Sequence, residues 1–279
     1  RRFHVSNPQR HRVALHGVRR WLAFVACFLV FAASFAIPLA QMVVWVGQIW
    51  RENLNSDYWG YVWNTLCLAL ITAAVATVLA LLLSWIRRRH PDGLTDWTVR
   101  LAILGYAMPG VVLAVGVFVP IAWLDEQLMA LLAPWGIETL GILKGSLAGM
   151  LLALAARFLA VAYNATDAAM QRITRSQEEA CASLGLGPWK TLRRLHLPLL
   201  RTGLLSAFLM VVVDVMKEMP ITLMMRQFGW DTLAVRVFQL TSESMWQEAA
   251  LPALAIVLVG LLPVILLVLQ TEKTPSSAG

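Results

Sequence analysis

The sequence predicts an all-α polytopic membrane protein, and two properties of the chain support that prediction. Of its 279 residues, 59% are hydrophobic and only 14% are charged, and the mean hydropathy is +0.67. Soluble domains carry about 25% charged residues. A membrane-spanning helix needs roughly 20 consecutive apolar residues. Six runs meet that length: 21–45, 61–86, 101–124, 141–163, 202–219 and 249–269.

The six apolar runs divide the chain into three parts. Residues 1–20 form a basic segment before the first span, 21–270 form the six-span domain, and 271–279 form a polar tail predicted to be disordered. Proline is expected to kink or end helices in the first, third and sixth runs, at Pro38, Pro109, Pro120 and Pro263. The fifth run is the least apolar, because three charged residues fall in its second half.

The distribution of basic residues predicts the orientation of the spans. Most of the 23 Lys and Arg residues lie before the first span, between spans two and three, or between spans four and five. Loops rich in Lys and Arg stay in the cytoplasm. Both termini and the loop at 164–200 are therefore predicted to be cytoplasmic. Because the basic excess follows from topology, no nucleic-acid partner is expected.

The loop at 164–200 has the local signals of a short helix–turn–helix. Its first part, 171–184, is rich in helix formers, and Gly185 fits the left-handed position that ends a helix. Pro188 suits the first position of a second helix over 189–196. Pro198 is expected to break the chain before the fifth span. Such a protruding polar loop indicates a docking surface, and a helical hairpin without a partner is the alternative.

The spacing in this loop resembles the signature of permease subunits of binding-protein-dependent ABC importers. That signature is Glu-Ala-small, three residues, Gly, nine residues, an aliphatic, one residue and Leu-Pro. The matching residues are Glu179, Ala180, Cys181, Gly185, Leu195, Leu197 and Pro198. Cys181 stands where the family usually has a second Ala, which is a change between small side chains.

The resemblance implies the type I permease fold of ABC importers in the inner membrane of a bacterium. In that family the loop lies in a cleft of an ATPase subunit and transmits its closure to the spans. The implied partners are ATP-binding cassette ATPase subunits, a periplasmic substrate-binding protein, a homologous permease half and the lipid bilayer. The chain has no Gly-Lys-Ser/Thr phosphate-binding motif. It is therefore predicted to be a non-enzymatic pore subunit whose partner hydrolyses ATP.

A second charged feature lies in the fifth run. Asp214, Lys217 and Glu218 are spaced i, i+3 and i+4, which predicts one shared helix face, and Pro220 is expected to end or kink that helix. Ionisable residues at membrane depth are costly and normally face the bundle interior or water. Two interpretations stay open: the lining of a cation pathway or its outer gate, and an internally paired cluster that orients helices.

The residues around this cluster resemble the ferric-iron branch of these permeases. The stretch KEMPITL at 217–223 is followed by RQF at 226–228 and DTLA at 231–234. Gln227 departs from the branch, which often has Pro there. Members commonly consist of two fused six-span halves, so the chain is expected to be a C-terminal half. Importers of polyamine, thiamine, sulfate or phosphonate share the loop and remain alternative substrate classes.

No cofactor or metal site is predicted. The three Cys are scattered, and the five His, including His196, are expected to be solvated. Asp125 and Glu126 are assigned to a solvated outer loop, with docking of a binding protein as the alternative. Arg157 is assigned to the cytoplasmic end of span four, where it snorkels or pairs. Two other functional classes would depend on different features. An ion-coupled secondary transporter would use the charged cluster as a relay, and a membrane-embedded enzyme would need a catalytic constellation that the sequence does not present.

Overall fold

The computed structural model describes residues 15–135 and 143–272, and every regular element among them is helical. The helices in chain order are α1 (Val18–Arg51), α2 (Ser56–Arg89), α3 (Gly93–Ala102), α4 (Gly110–Leu132), α5 (Leu147–Met170), α6 (Arg175–Ser183), α7 (Pro188–Met216), α8 (Pro220–Met225), α9 (Leu233–Ser242) and α10 (Trp246–Glu272). Six of them, namely α1, α2, α4, α5, α7 and α10, are long and apolar enough to cross a membrane. The predicted six-span, all-α class is confirmed.

The third span begins later than predicted. The run at 101–124 was expected to be one helix, but α4 starts at Gly110, and the preceding residues form α3 and a short 3-10 turn. Pro109 causes the break, because proline disfavours helical geometry in the residue before it. Met108 accordingly has an extended backbone, with φ −85° and ψ 142°.

Other predicted boundaries shift or fall outside the described residues. The fifth span was expected to start at 202, but α7 already begins at Pro188. The predicted tail at 271–279 begins inside α10, which runs to Glu272. The remainder of that tail, residues 1–14 of the basic segment and the first two residues predicted for span four lie outside the described residues.

The core lies where α2, α5 and α7 pack against one another. Four alanines of α2 at helical spacing are fully buried there: Ala69, Ala73, Ala76 and Ala80. Small side chains let helix backbones approach closely, which is how membrane helices gain packing energy without a hydrophobic driving force. The other spans surround this core, with α1 and α9 packed on α10 and α8 packed on α4.

Gly203 marks a close approach between α7 and α5. A Cβ added at Gly203 would lie 2.3 Å from the Cβ of Ala169, far inside the roughly 3.5–4 Å at which carbon atoms pack. We expect Gly203→Ala to destabilise the protein by about 1–3 kcal/mol through overpacking. Unfolding of the purified chain by SDS titration measures this loss.

Gly60 provides a matched glycine control for that substitution. It lies in α2, and a Cβ there would meet no atom within 4 Å. Alanine is favoured over glycine in a helix by roughly 0.5–1 kcal/mol, so Gly60→Ala should be neutral or stabilising. Equal unfolding midpoints for the two variants would contradict the close packing of α5 on α7.

Candidate functional site: the loop before the fifth span and the charges at its end

The helix α6 has a defined beginning and end. Thr174 forms a capping box with Gln177, whose Oε1 accepts the Thr174 N–H at 3.1 Å. At the other end, Gly185 has a φ of +70°. Its N–H donates to the Ala182 carbonyl at 2.9 Å, and the Leu186 N–H donates to the Cys181 carbonyl at 3.1 Å. These paired bonds form the Schellman motif that a glycine in left-handed geometry allows, and they agree with the position predicted for Gly185.

The expected break at Pro198 does not occur. Pro188 starts a helix as predicted, but that helix continues through a π-helical turn at Leu192–His196 into the fifth span. Proline lacks the N–H that an α-helix would use and its ring clashes with the preceding turn. A π turn closes with i→i+5 bonds, and here it ends two residues before Pro198. The loop and the span are therefore one continuous helix.

The predicted loop residues divide into an exposed tip and a base on α7. Glu179, Ala180 and Gly185 are exposed at the tip, and Cys181 is half-buried. Leu184 and Trp189 add two large exposed apolar side chains to the same tip. The base residues are Leu195, which packs on the buried cluster beneath the loop, and Leu197 and Pro198, which are exposed on α7. An exposed apolar and acidic tip is a surface suited to contact with another protein.

Glu178 holds the loop to the bundle, a role that the sequence interpretation missed. Its Oε1 lies 2.7 Å from Arg88 Nε and 2.7 Å from His196 Nε2. Arg88 also donates to the carbonyls of Met170 and Ile173. The prediction that His196 is solvated is wrong, because its side chain is buried. We call Arg88, Glu178 and His196 the loop anchor, since they join α2, α6 and the π turn of α7.

The loop anchor sets the protonation of Glu178. Burial raises the pKa of its carboxyl, but hydrogen bonds from Arg88 and His196 outweigh burial and leave the pKa below its ordinary value. The carboxylate therefore contributes stability that is present above the unfolded pKa of about 4.3. That contribution is lost as pH falls through the lowered pKa of the folded state.

We expect Glu178→Gln to destabilise the protein by about 1–3 kcal/mol, since it weakens hydrogen bonds between charged groups at a partly buried position. Glu179→Gln is the matched control. Glu179 is the neighbouring residue, is exposed, and its carboxylate has no partner among the described residues. Thermal unfolding of both purified variants at neutral pH measures the difference. Equal melting temperatures would show that the loop anchor contributes nothing to stability.

The charged cluster does not share one helix face as predicted. The helix α7 ends at Met216, so Lys217 and Glu218 lie in the turn that follows it. Lys217 Nζ pairs with Asp214 Oδ1 at 2.8 Å, and its side chain remains 63% exposed. Glu218 turns the opposite way, into the bundle, where its side chain is 1% exposed. Pro220 begins α8 and does not end α7.

Glu218 forms a buried ion pair that also starts α8. Its Oε1 lies 3.1 Å from Arg157 Nη1 and accepts the Ile221 N–H at 3.0 Å. Its Oε2 accepts the N–H and the hydroxyl of Thr222 at 3.1 and 3.0 Å. Gly110 leaves room for the guanidinium, since a Cβ there would lie against Arg157 Nη1. These contacts bring α4, α5 and the segment after α7 together.

Two sequence-based placements need correction. Arg157 was assigned to the cytoplasmic end of the fourth span, but it lies near the middle of α5 and pairs with Glu218. Asp125 was assigned to a solvated outer loop, but it is buried within α4 and accepts the N–H groups of Leu143 and Lys144 at 2.8 and 2.6 Å. Both charged side chains hold parts of the bundle together. Hydropathy alone predicted different positions for them.

The segment between α8 and α9 is held by polar contacts. Arg226 pairs with Asp231, Asn64 Nδ2 donates to the Asp231 carbonyl at 3.0 Å, and the Leu233 N–H donates to Thr65 Oγ1 at 2.9 Å. Gly229 turns the chain with a φ of +75°. Phe228 is fully exposed at the tip of this turn. The motif at 226–234 thus forms a structured turn fixed to α2.

The six apolar spans define the class: a multi-pass α-helical membrane protein. The chain belongs to the family of binding-protein-dependent transport system inner membrane components, whose model matches residues 76–272. This family match agrees with the resemblance of the loop at 164–200 to permease subunits of binding-protein-dependent ABC importers.

Two curated relatives differ in the substrate that their names print. The chain is 27% identical over 241 residues to an Fe(3+)-transport system permease protein, FbpB 2, of Haemophilus influenzae, covering 85% of this chain and 45% of that protein. It is 27% identical over 274 residues to a putative 2-aminoethylphosphonate transport system permease protein, PhnV, of Salmonella typhimurium, covering 93% and 96%. The chain thus spans less than half the length of the first relative and nearly all of the second.

Solved structures share the fold. A bacterial alginate ABC transporter in complex with an alginate pentasaccharide-bound periplasmic protein matches with a TM-score of 0.68 at 12% identity, covering 92% of this chain and 95% of that chain. A bacterial ABC transporter involved in alginate import matches with a TM-score of 0.61 at 11% identity, covering 94% and 97%. These matches confirm the predicted permease fold of ABC importers.

Proposed function

We propose that the chain is the pore-forming permease subunit of an ATP-driven, binding-protein-dependent importer. The observation that supports this most directly is the exposed tip of α6 on a loop anchored to α2 and α7, in a chain of this family. The proposed partners are ATP-binding cassette ATPase subunits at the loop, a periplasmic substrate-binding protein on the opposite face, and a homologous permease half. The subunit would lie in the bacterial inner membrane with both termini in the cytoplasm.

In this proposal the loop anchor transmits ATPase closure to the spans. Because Glu178 bonds to both Arg88 and His196, a force on α6 reaches the end of α2 and the π turn of α7. Because α2 and α7 both belong to the packed core, they would move together when α6 moves. A partner that binds one arrangement of these helices more tightly than the other would shift the population between outward and inward openings.

Ferric iron is the substrate that we propose, and phosphonate is the leading alternative. The iron assignment rests on the motif at 217–234 and on the iron-transport relative. The phosphonate alternative rests on the aminoethylphosphonate relatives, which match along nearly their whole length. Polyamine, thiamine and sulfate importers resemble the chain through the loop alone. The partial coverage of the iron-transport relative also supports the proposal of a second, homologous half.

We also retain Asp214, Lys217, Glu218 and Pro220 as candidates for the translocation path or its outer gate, with separate roles. Asp214 is mostly buried, and Lys217 forms the solvent-exposed end of their ion pair, which a passing ion can reach. Glu218 is enclosed by Arg157 and the start of α8, so it would position α8 instead of contacting substrate. Pro220 would fix where α8 begins.

Reconstitution of the intact complex tests the proposed function. Proteoliposomes containing the permease halves, the ATPase subunits and the binding protein should accumulate substrate only with internal ATP. Radioactive ferric iron and 2-aminoethylphosphonate, supplied separately, would distinguish the two proposed substrates. Accumulation of either solute driven by an ion gradient without ATP would favour an ion-coupled secondary transporter and contradict the proposal.

A further inference from the structure

A basic cavity of about 790 Å³ opens between the end of α2 and the start of α6. Its walls carry four arginines and two carboxylates: Arg87, Arg88, Arg89, Arg175, Asp167 and Glu178. Arginine side chains gathered around one cavity favour an anionic ligand, because the planar guanidinium donates paired hydrogen bonds to phosphate or carboxylate oxygens. The ligand class then depends on which of these charges are already paired and on the depth of the cavity.

Both carboxylates of the cavity already face arginine. Arg88 pairs with Glu178 at 2.7 Å, and Arg87 lies 3.9 Å from Asp167 while bonding to Asp96 at 2.8 Å. Arg89 and Arg175 have no ion-pair or hydrogen-bond partner within 15–135 and 143–272. The cavity therefore keeps an uncompensated positive charge.

A buried hydroxyl provides a second, independent sign of a ligand. The residue Ser84 is 1% exposed and lines the same cavity. Its Oγ has no hydrogen-bond partner in the part of the chain that the structure describes. Buried polar atoms are normally paired, and each exception calls for an explanation such as a bound group. A ligand with acceptor oxygens would satisfy this hydroxyl and the two free guanidinium groups together.

The neighbouring helix α3 has the pattern of a helix that lies at a membrane interface. Leu94, Trp97 and Leu101 form an exposed apolar stripe along one face of α3, while Asp96 and buried Val99 on the other side hold the helix to the bundle. Such a helix lies in the plane of the membrane interface, with its apolar face in the headgroup and acyl boundary. Since α3 begins four residues after Arg89, an interfacial position of α3 would place the cavity in the layer where lipid phosphates are concentrated.

We propose that this cavity binds a phosphate group, with the headgroup of an anionic phospholipid as its expected source. Arg89 and Arg175 would donate to the phosphate oxygens, and Ser84 would donate its hydroxyl. Basic pockets between membrane helices bind headgroups by this chemistry. Because Arg88 and Glu178 of the loop anchor form part of the same wall, the bound phosphate would lie beside the contacts that hold α6.

Native mass spectrometry of the purified full chain in detergent tests this site. Titration with phosphatidylglycerol is compared with titration with phosphatidylcholine. We expect the double variant Arg89→Gln/Arg175→Gln to bind phosphatidylglycerol about tenfold more weakly, which is the size expected from losing charge-assisted hydrogen bonds, with phosphatidylcholine binding unchanged. Ser84→Ala keeps every charge and should weaken phosphatidylglycerol binding several-fold.

The matched control is Arg193→Gln/Arg194→Gln, which removes two exposed arginines outside this cavity. Equal weakening in the control and the cavity variant would overturn the site, because it would indicate general attraction to positive charge. Unchanged binding in the cavity variant would overturn it as well. A final arm adds inorganic phosphate at millimolar concentration. Displacement of the lipid would identify the free ion as a ligand of the site, whereas lack of displacement would identify the headgroup.

Discussion

Replacing Glu218 with Ala is expected to destabilise the folded protein by about 3–5 kcal/mol, because it leaves Arg157 charged and unpaired inside the bundle. The Glu218 side chain is 1% exposed and lies 3.1 Å from the guanidinium. The same carboxylate accepts hydrogen bonds from Ile221 and Thr222 at the start of α8. The substitution therefore removes an ion pair and the contacts that begin a helix. Unfolding of the purified chain by SDS titration measures the loss.

The neighbouring acidic residue provides the control for Glu218→Ala. Asp214 belongs to the same motif and its own side chain is 17% exposed, but its partner Lys217 is 63% exposed, so the pair stays in contact with solvent. An ion pair of this kind contributes about 0–1 kcal/mol after screening by solvent, so Asp214→Ala should leave the unfolding midpoint nearly unchanged. Similar losses in both variants would contradict the structural separation of Glu218 from the other two charges.

Replacing both Arg157 and Glu218 with uncharged residues tests the cause of the stability loss in Glu218→Ala. The loss could come from the unpaired charge of Arg157 or from missing packing. Substituting apolar residues for both partners of a buried ion pair is often neutral or stabilising. The double variant Arg157→Met/Glu218→Met should therefore recover much of the stability lost by Glu218→Ala. Recovery will be incomplete, because Met cannot accept the hydrogen bonds that begin α8. A double variant less stable than the single one would show that Arg157 is not left as a buried charge.

Sequence reasoning succeeded where local chemistry decides the structure. The six spans follow from apolar runs, and the end of α6 follows from a glycine in a position that needs positive φ. It failed where a long-range partner decides. Glu218 looks like a member of an i, i+3, i+4 cluster until Arg157 from another helix draws it inward. His196 looks like a solvated loop residue until Glu178, eighteen positions earlier, faces it.

The continuous α7 illustrates a different limit. Proline breaks or kinks an ordinary α-helix, so Pro198 predicts a break before the fifth span. The π turn at Leu192–His196 changes the geometry before the proline, and nothing in the local residue pattern announces it. His196, at the end of this turn, faces Glu178, and the helix runs from the loop into the fifth span without an interruption.

Glu179→Arg and Gly185→Pro are each expected to abolish transport and ATPase coupling while membrane insertion remains intact. Glu179 is exposed, so reversing its charge changes the surface offered to a partner and leaves the fold in place. Gly185 has a φ of +70° and donates its N–H to Ala182. Proline has a φ fixed near −65° and no N–H, so the turn that presents the tip is lost. Reconstituted uptake and ATP hydrolysis stimulated by the loaded binding protein measure the effect.

Matched variants separate loss of docking from general damage. Gly187 lies two residues beyond Gly185, but its φ is −67° and a Cβ would meet no atom within 4 Å, so Gly187→Ala should transport normally. Glu243→Arg makes the same charge reversal at an exposed position on the predicted outer side and should still co-purify with the ATPase. Because Glu179 makes no ion pair within the described chain, undiminished uptake by Glu179→Arg would mean that its carboxylate is not part of the docking surface. The same result for Gly185→Pro would remove the loop from the mechanism altogether.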